Sequence, residues 1–160
     1  MKTSILVLVL IMGINPFHQT NTDNKYFKST ITSDAPAEKV WATITDASKW
    51  KHWNTDIVDA RLKGTLKKGD IGSMITANGD VLQYSIVSVE DMHTYTYKHK
   101  LSSGMLFTKR SVVATDSGSS ISEEVWFKGI SEKTFEKYMG NNYTDVIQIR
   151  LQALKDFMEN

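Results

Sequence analysis

The last thirty residues, Ser131 to Asn160, need an apolar surface to lie on, and the rest of the chain must supply it. At about 100° per residue, Phe135, Met139, Val146, Ala153 and Phe157 fall on one stripe, with Tyr143 and Leu154 beside it. Thr134, Lys137, Thr144, Asp145, Gln148, Gln152, Lys155 and Glu159 fall opposite. An amphipathic helix of that length crosses a whole domain. Arg150 projects from the middle of the stripe. A guanidinium facing a core is costly unless paired. Two placements stay open: the head snorkels past the edge of the covered surface, or it points into a partly hollow interior. Gly140-Asn141-Asn142 are poor helix formers, so a kink or break falls there.

Upstream, the hydrophobic period is two. Strands are expected at Ile57–Leu62, Ile71–Thr76, Val81–Glu90, His93–Leu101, Met105–Thr115 and Ser119–Lys128. The segments between them, such as Asn78-Gly79-Asp80 and Asp116-Ser117-Gly118, carry turn chemistry and are short, which implies antiparallel neighbours. Before them come a first strand at Tyr26–Thr32 and a helix over Ala37–Thr45, with Ser33 or Asp34 placed to cap it and Pro36 near its first turn. A second short helix follows, capped at Asp46-Ala47-Ser48 and holding Trp50 and Trp53. These elements make an α+β domain in which a seven-stranded antiparallel sheet curls around the terminal helix.

A length of 160 residues suits one domain with a real core, and 41% apolar with 23% charged residues is ordinary for a globular chain. The formal net charge of +1, with no basic stripe along the sequence, gives no electrostatic reason to expect a nucleic-acid partner. There is no cysteine, which excludes disulfides, thiolate nucleophiles and Cys-ligated metals. At the amino end, Lys2 precedes a ten-residue apolar run, Ile5 to Ile14, stopped by Asn15-Pro16. That pattern reads as a secretory signal without an Ala-x-Ala site, and it is too short to span a bilayer. Residues 1–22 are therefore expected to be a signal-like segment and polar lead-in, and residues 23–160 the domain. The protein is expected to be secreted or periplasmic, touching a membrane only through its N-terminal segment.

Strand parity describes the interior. In His93–Leu101, Thr94, Thr96, Lys98 and Lys100 face solvent, so His93, Tyr95, Tyr97, His99 and Leu101 face inward. In Ser119–Lys128, Glu123 shares a face with Ile121, Val125 and Phe127. Buried polar groups need partners, and Arg150 is the obvious one for Glu123. An aromatic interior with a few convergent polar groups suits an amphipathic small ligand. The candidate cavity residues are Tyr95, Tyr97, His99, Phe107, Glu123, Phe127, Tyr143 and Arg150.

The run Ala35-Pro36-Ala37-Glu38-Lys39-Val40-Trp41, then Ile44-Thr45-Asp46, Trp50 and Trp53-Asn54, resembles the opening of the SRPBCC superfamily. This group includes the START-like lipid-binding domains and the polyketide cyclase/dehydrase proteins. Gly64 with Leu66 to Gly72, and Glu123-Glu124-Val125-Trp126-Phe127, resemble its middle and last-strand segments. The resemblance covers nearly everything from Tyr26 onward. It implies a helix-grip fold with a hydrophobic cavity between sheet and terminal helix, and the binding or transport of lipids, hormones or polyketides, with catalysis in a minority.

His18, His52, His93 and His99 lack metal-ligand spacing, and neither a nucleophile elbow nor a phosphate-binding loop is present. No cofactor is expected, and Trp41, Trp50 and Trp53 are expected to pack the core or the entrance. Two functions fit. One is non-catalytic binding or carriage of a hydrophobic small molecule or lipid. The alternative is a cyclase/dehydratase-type enzyme in which Tyr95, Tyr97 or His99 moves protons and Glu123 or Arg150 stabilises an enolate. The absence of a compact acid–base constellation favours the first.

Overall fold

The computed structural model describes residues 26–160. The signal-like run lies outside them. Seven strands, β1 (Tyr26–Ser33), β2 (Ile57–Lys63), β3 (Ile71–Thr76), β4 (Val81–Glu90), β5 (Thr94–Lys100), β6 (Met105–Thr115) and β7 (Gly118–Lys128), form one antiparallel sheet. Its order is β1-β7-β6-β5-β4-β3-β2. From β2 to β7 the sheet is a meander, as the short Gly-containing turns require. Register shifts at Ile57/Asp59 and Ile86/Ser88 bend it.

β1 and β2 are consecutive strands at opposite edges of the sheet, so their connection must cross its full width. Helix α1 (Ala37–Thr45) and a 3₁₀ helix (Ala47–His52) make the crossing. Pro36 stands at the α1 N-cap without a side-chain cap. Ser33 is occupied elsewhere: its hydroxyl donates to Glu159 at 2.7 Å. The 3₁₀ helix is capped as expected, with Asp46 accepting from the Ser48 amide. It delivers Trp50 and Trp53, each about 1% exposed, into the centre of the molecule.

The carboxy-terminal segment is two helices, α2 (Glu132–Met139) and α3 (Tyr143–Glu159). Gly140, at φ +83°, ends the first. The break resets the helical phase. The buried face of α3 is therefore Tyr143, Ile147, Arg150, Leu151, Leu154 and Met158. Phe157, expected on that face, is 39% exposed, and Val146 and Ala153 lie at its edge. α3 packs against β1 and β7. A curved sheet clasping a terminal helix is the helix-grip arrangement. Among the described residues no helix is long and apolar enough to cross a membrane.

Candidate functional site

The centre of the interior is filled. Glu123 on β7 is fully buried, and Arg110, directly across on β6, is 1% exposed. The Arg110 Nε donates to Glu123 Oε2 at 2.7 Å, while its terminal nitrogens donate to the Tyr95 hydroxyl at 2.8 Å and the Tyr97 hydroxyl at 3.3 Å. Its guanidinium carbon sits 4.8 Å from the Trp50 ring centre and 4.6 Å from that of Trp53. Tyr95 passes its own proton to the Ile44 carbonyl at 2.6 Å.

From the other side, Arg150 Nη1 donates to Glu123 Oε1, and its Nη2 donates to Asp56 at 2.7 Å. Asp56 is largely exposed. Arg150 thus neither snorkels clear of the covered surface nor faces a hollow interior: one end of its guanidinium reaches the packed core, the other its rim. Two cations and two carboxylates leave the cluster formally neutral, which makes its burial affordable.

The electrostatics follow. Burial would raise the Glu123 carboxyl, but the Arg150 and Arg110 charges outweigh it and hold the group below its ordinary value. Burial opposes the charge on Arg110, yet the Tyr95 and Tyr97 phenols and the Glu123 carboxylate hold its pKa above the usual one. Burial pushes the Tyr95 phenol up. His99 is 9% exposed and its Nδ1 has no hydrogen-bond partner; burial lowers its pKa to about 4.

Arg110 is the residue that sequence reading missed. Phe107, a candidate for the cavity, lies on the other face of β6 from it. Leu106, Thr108, Arg110 and Val112 face inward, while Phe107 faces outward and stacks on Trp126 at 5.2 Å. His93 also departs from expectation. The strand begins at Thr94, and His93 sits exposed in the preceding turn, its Nδ1 2.9 Å from the Asp91 carbonyl. Phe127 and Tyr143 do point inward, where both pack on Phe135, at 4.5 and 5.4 Å.

The open space lies at one end of the molecule. A cavity of about 330 Å³ is walled by Leu82 of β4, Leu101 of the β5–β6 loop, Ile130, and Phe135, Tyr138 and Met139. Asp80, Lys100, Ser102, Ser103 and Thr134 stand at its polar edge. None of the residues expected to line the cavity does so: the Arg110 cluster takes up Tyr95, Tyr97, Glu123 and Arg150, Phe127 and Tyr143 pack on Phe135, and Phe107 faces outward. His99 lies on the inner face of β5, two residues before Leu101. A larger groove, about 540 Å³, lies at the opposite end between the 3₁₀ helix and the β2–β3 turn. Open to solvent beside Asp46, Ser48 and Arg61, it would bury little of an apolar ligand.

A bent sheet gripping its terminal helix, with an apolar cavity at one end, defines a START-like helix-grip domain. The sequence model for polyketide cyclase / dehydrase and lipid transport matches residues 26–159, and the chain belongs to that family. No curated protein sequence matches it. Among solved structures, MLL2253 from Mesorhizobium loti superposes with a TM-score of 0.69 at 14% identity, over 84% of this chain and 97% of the other. The di-domain ARO/CYC BexL from the BE-7585A biosynthetic pathway matches with a TM-score of 0.63 at 18% identity, over 86% of this chain and 50% of its own. A point mutant of norcoclaurine synthase from Thalictrum flavum, in complex with a transition-state analogue, matches with a TM-score of 0.62 at 12% identity, over 85% and 94%. At these identities the likeness is one of fold.

Proposed function

We propose that the chain binds a hydrophobic small molecule or lipid in the end cavity and carries it without chemical change. One contrast carries this reading. The cavity is walled mainly by Leu82, Leu101, Ile130, Phe135 and Met139, with Asp80, Lys100 and Tyr138 as its ionisable groups, whereas the buried acid and phenols of the interior are committed to the Arg110 cluster. Glu123 is held ionised between two guanidiniums, and the Tyr95 hydroxyl is engaged by Arg110 and the Ile44 carbonyl. A volume of about 330 Å³ is at the small end for ligand sites, which run about 300–1,000 Å³. It suits a compact apolar molecule or the end of a longer one. The Lys2 and Ile5–Ile14 pattern supports action outside the cytoplasm.

The alternative, a cyclase/dehydratase-type enzyme, draws on the names of the ARO/CYC and norcoclaurine synthase neighbours. It draws also on the unpartnered Nδ1 of His99. A histidine with a pKa near 4 is a weak base at pH 7, and His99 does not line the cavity.

Native mass spectrometry of protein purified from its host separates the two. Carriage predicts a co-purified lipid-like mass. It also predicts that Leu101→Trp, which fills the cavity, lowers affinity for an anilinonaphthalene probe at least about tenfold without lowering Tm. Clean apo protein that binds no probe, or turnover abolished by His99→Ala, would count against carriage.

A further inference from the structure

The convex face of the sheet carries a second surface, at the same end as the cavity mouth. Cross-strand register sets Tyr26, Trp126, Phe107 and Lys98 side by side in one outward row. The next row toward the mouth is Lys128, Met105 and Lys100. Behind them stand Lys28 and Lys109 with Glu124 between, at 3.0 and 3.9 Å from it. Lys98, Lys100 and Lys128 form no ion pair with any described carboxylate. The result is an aromatic stripe set in unpaired lysines, invisible along the sequence because the residues come from separate strands.

Three observations identify what this surface meets. First, the aromatic rings are packed against one another. Phe107 and Trp126 stack on each other with planes 7° apart, and Lys128 lies over Phe107 at 5.6 Å. Tyr26 lies against Trp126 in turn, at 5.6 Å, and an aromatic strip packed in this way suits the interfacial layer of a bilayer better than the insertion of nucleic-acid bases. Second, the unpaired ammonium groups complement anionic lipid headgroups. Third, the chain enters the fold here. Tyr26, 59% exposed, is the first residue of β1, and residues 15–25 can span at most about 40 Å back to the apolar run Ile5–Ile14. Lys100 belongs both to this surface and to the cavity edge, and Tyr138, 68% exposed, stands across the mouth. α2 is balanced, with Lys133 and Lys137 against Glu132 and Glu136, and does not cancel the positive field.

We propose that this face, Tyr26, Phe107 and Trp126 with Lys98, Lys100 and Lys128, docks on an anionic lipid bilayer and sets the cavity mouth against it. The contact is peripheral: the aromatic edges enter the headgroup layer and the lysines pair with lipid phosphates. It is separate from any insertion of the N-terminal run.

The test uses the full chain and vesicles of phosphatidylcholine with or without phosphatidylglycerol. Wild type should sediment preferentially with the anionic vesicles, and salt should weaken the preference. Each lysine near such a surface contributes about fivefold, so Lys98→Glu/Lys100→Glu/Lys128→Glu should lose the preference by at least about 100-fold. Lys63→Glu/Lys67→Glu/Lys68→Glu, the same charge change on the β2–β3 turn at the far end, should retain it. Trp126 is the least buried of the four tryptophans. Brominated lipid should therefore quench its emission, and Trp126→Phe should abolish that quenching. Equal sedimentation with both vesicles, equal loss in the two triple variants, or binding to a single-stranded oligonucleotide without vesicle binding would each overturn the proposal.

Discussion

Arg110 shows how one side chain can decide what an interior is for. It satisfies the Glu123 carboxylate and two phenols while its faces rest on Trp50 and Trp53. Removing a partner from a buried ion cluster costs more than the cluster contributes over an apolar filling, because a charge stays behind in low dielectric. Arg110→Met should therefore cost about 3–5 kcal/mol in urea unfolding. A loss under about 1 kcal/mol would mean that Arg150 alone can hold Glu123. Arg150→Met belongs with it, since Arg150 is the second donor to the same carboxylate. Glu123 and Arg150 were legible from parity and helical spacing. Arg110 was not, because Val112 and Val113 are both apolar and let β6 be read in either register.

At the scale of elements, α2 and α3 are separate helices that touch through Phe135 and Tyr143, 5.4 Å apart. Phe135 is the one buried side chain of α2, stacked against Phe27 at 5.1 Å and Phe127 at 4.5 Å. α3 buries a full face, and its end is tied to the end of β1 by Glu159, which accepts from the Ser33 hydroxyl and the Asp34 amide. Phe135→Ala removes a stacked aromatic from a packed site, a change that costs about 3–5 kcal/mol where the whole fold feels it. Here the expected effect is local: faster amide hydrogen exchange throughout α2 with α3 still protected. Equal acceleration in both helices would show that they open as one unit. Because α2 walls the cavity, its loosening is also the expected route of ligand entry. The close fit of the sheet is just as specific. A Cβ at Gly72 would come within 2.2 Å of the Tyr84 ring, which crosses β3 to donate to the Arg61 carbonyl at 3.2 Å.

For the molecule as a whole, pH reads out the filled interior. His99 takes up a proton near pH 6.5 when unfolded but near 4 when folded. Between those values the unfolded state binds more protons, so stability rises with pH across that window and about 3 kcal/mol is lost from pH 6.5 down to 4. The carboxyl of Glu123, held low, adds its own loss from its ordinary value of 4.5 downward, complete once pH falls through its folded value. His99→Phe should flatten the urea midpoint between pH 6.5 and 4.5. An unchanged slope would place the acid sensitivity elsewhere.

Local chemistry alone determined the order and type of the elements, the helix break at Gly140 and the inward turn of Glu123, because period, turn residues and capping act over a few neighbours. Three things waited on tertiary structure: the face of α3, the direction of Phe107 and the position of the open space. Each depends on a phase or register that one residue can shift, and only packing between distant strands selects among the alternatives. The aromatic and lysine surface on the convex face has the same origin, since β-pairing brings Tyr26, Lys98, Phe107 and Trp126 together from four strands.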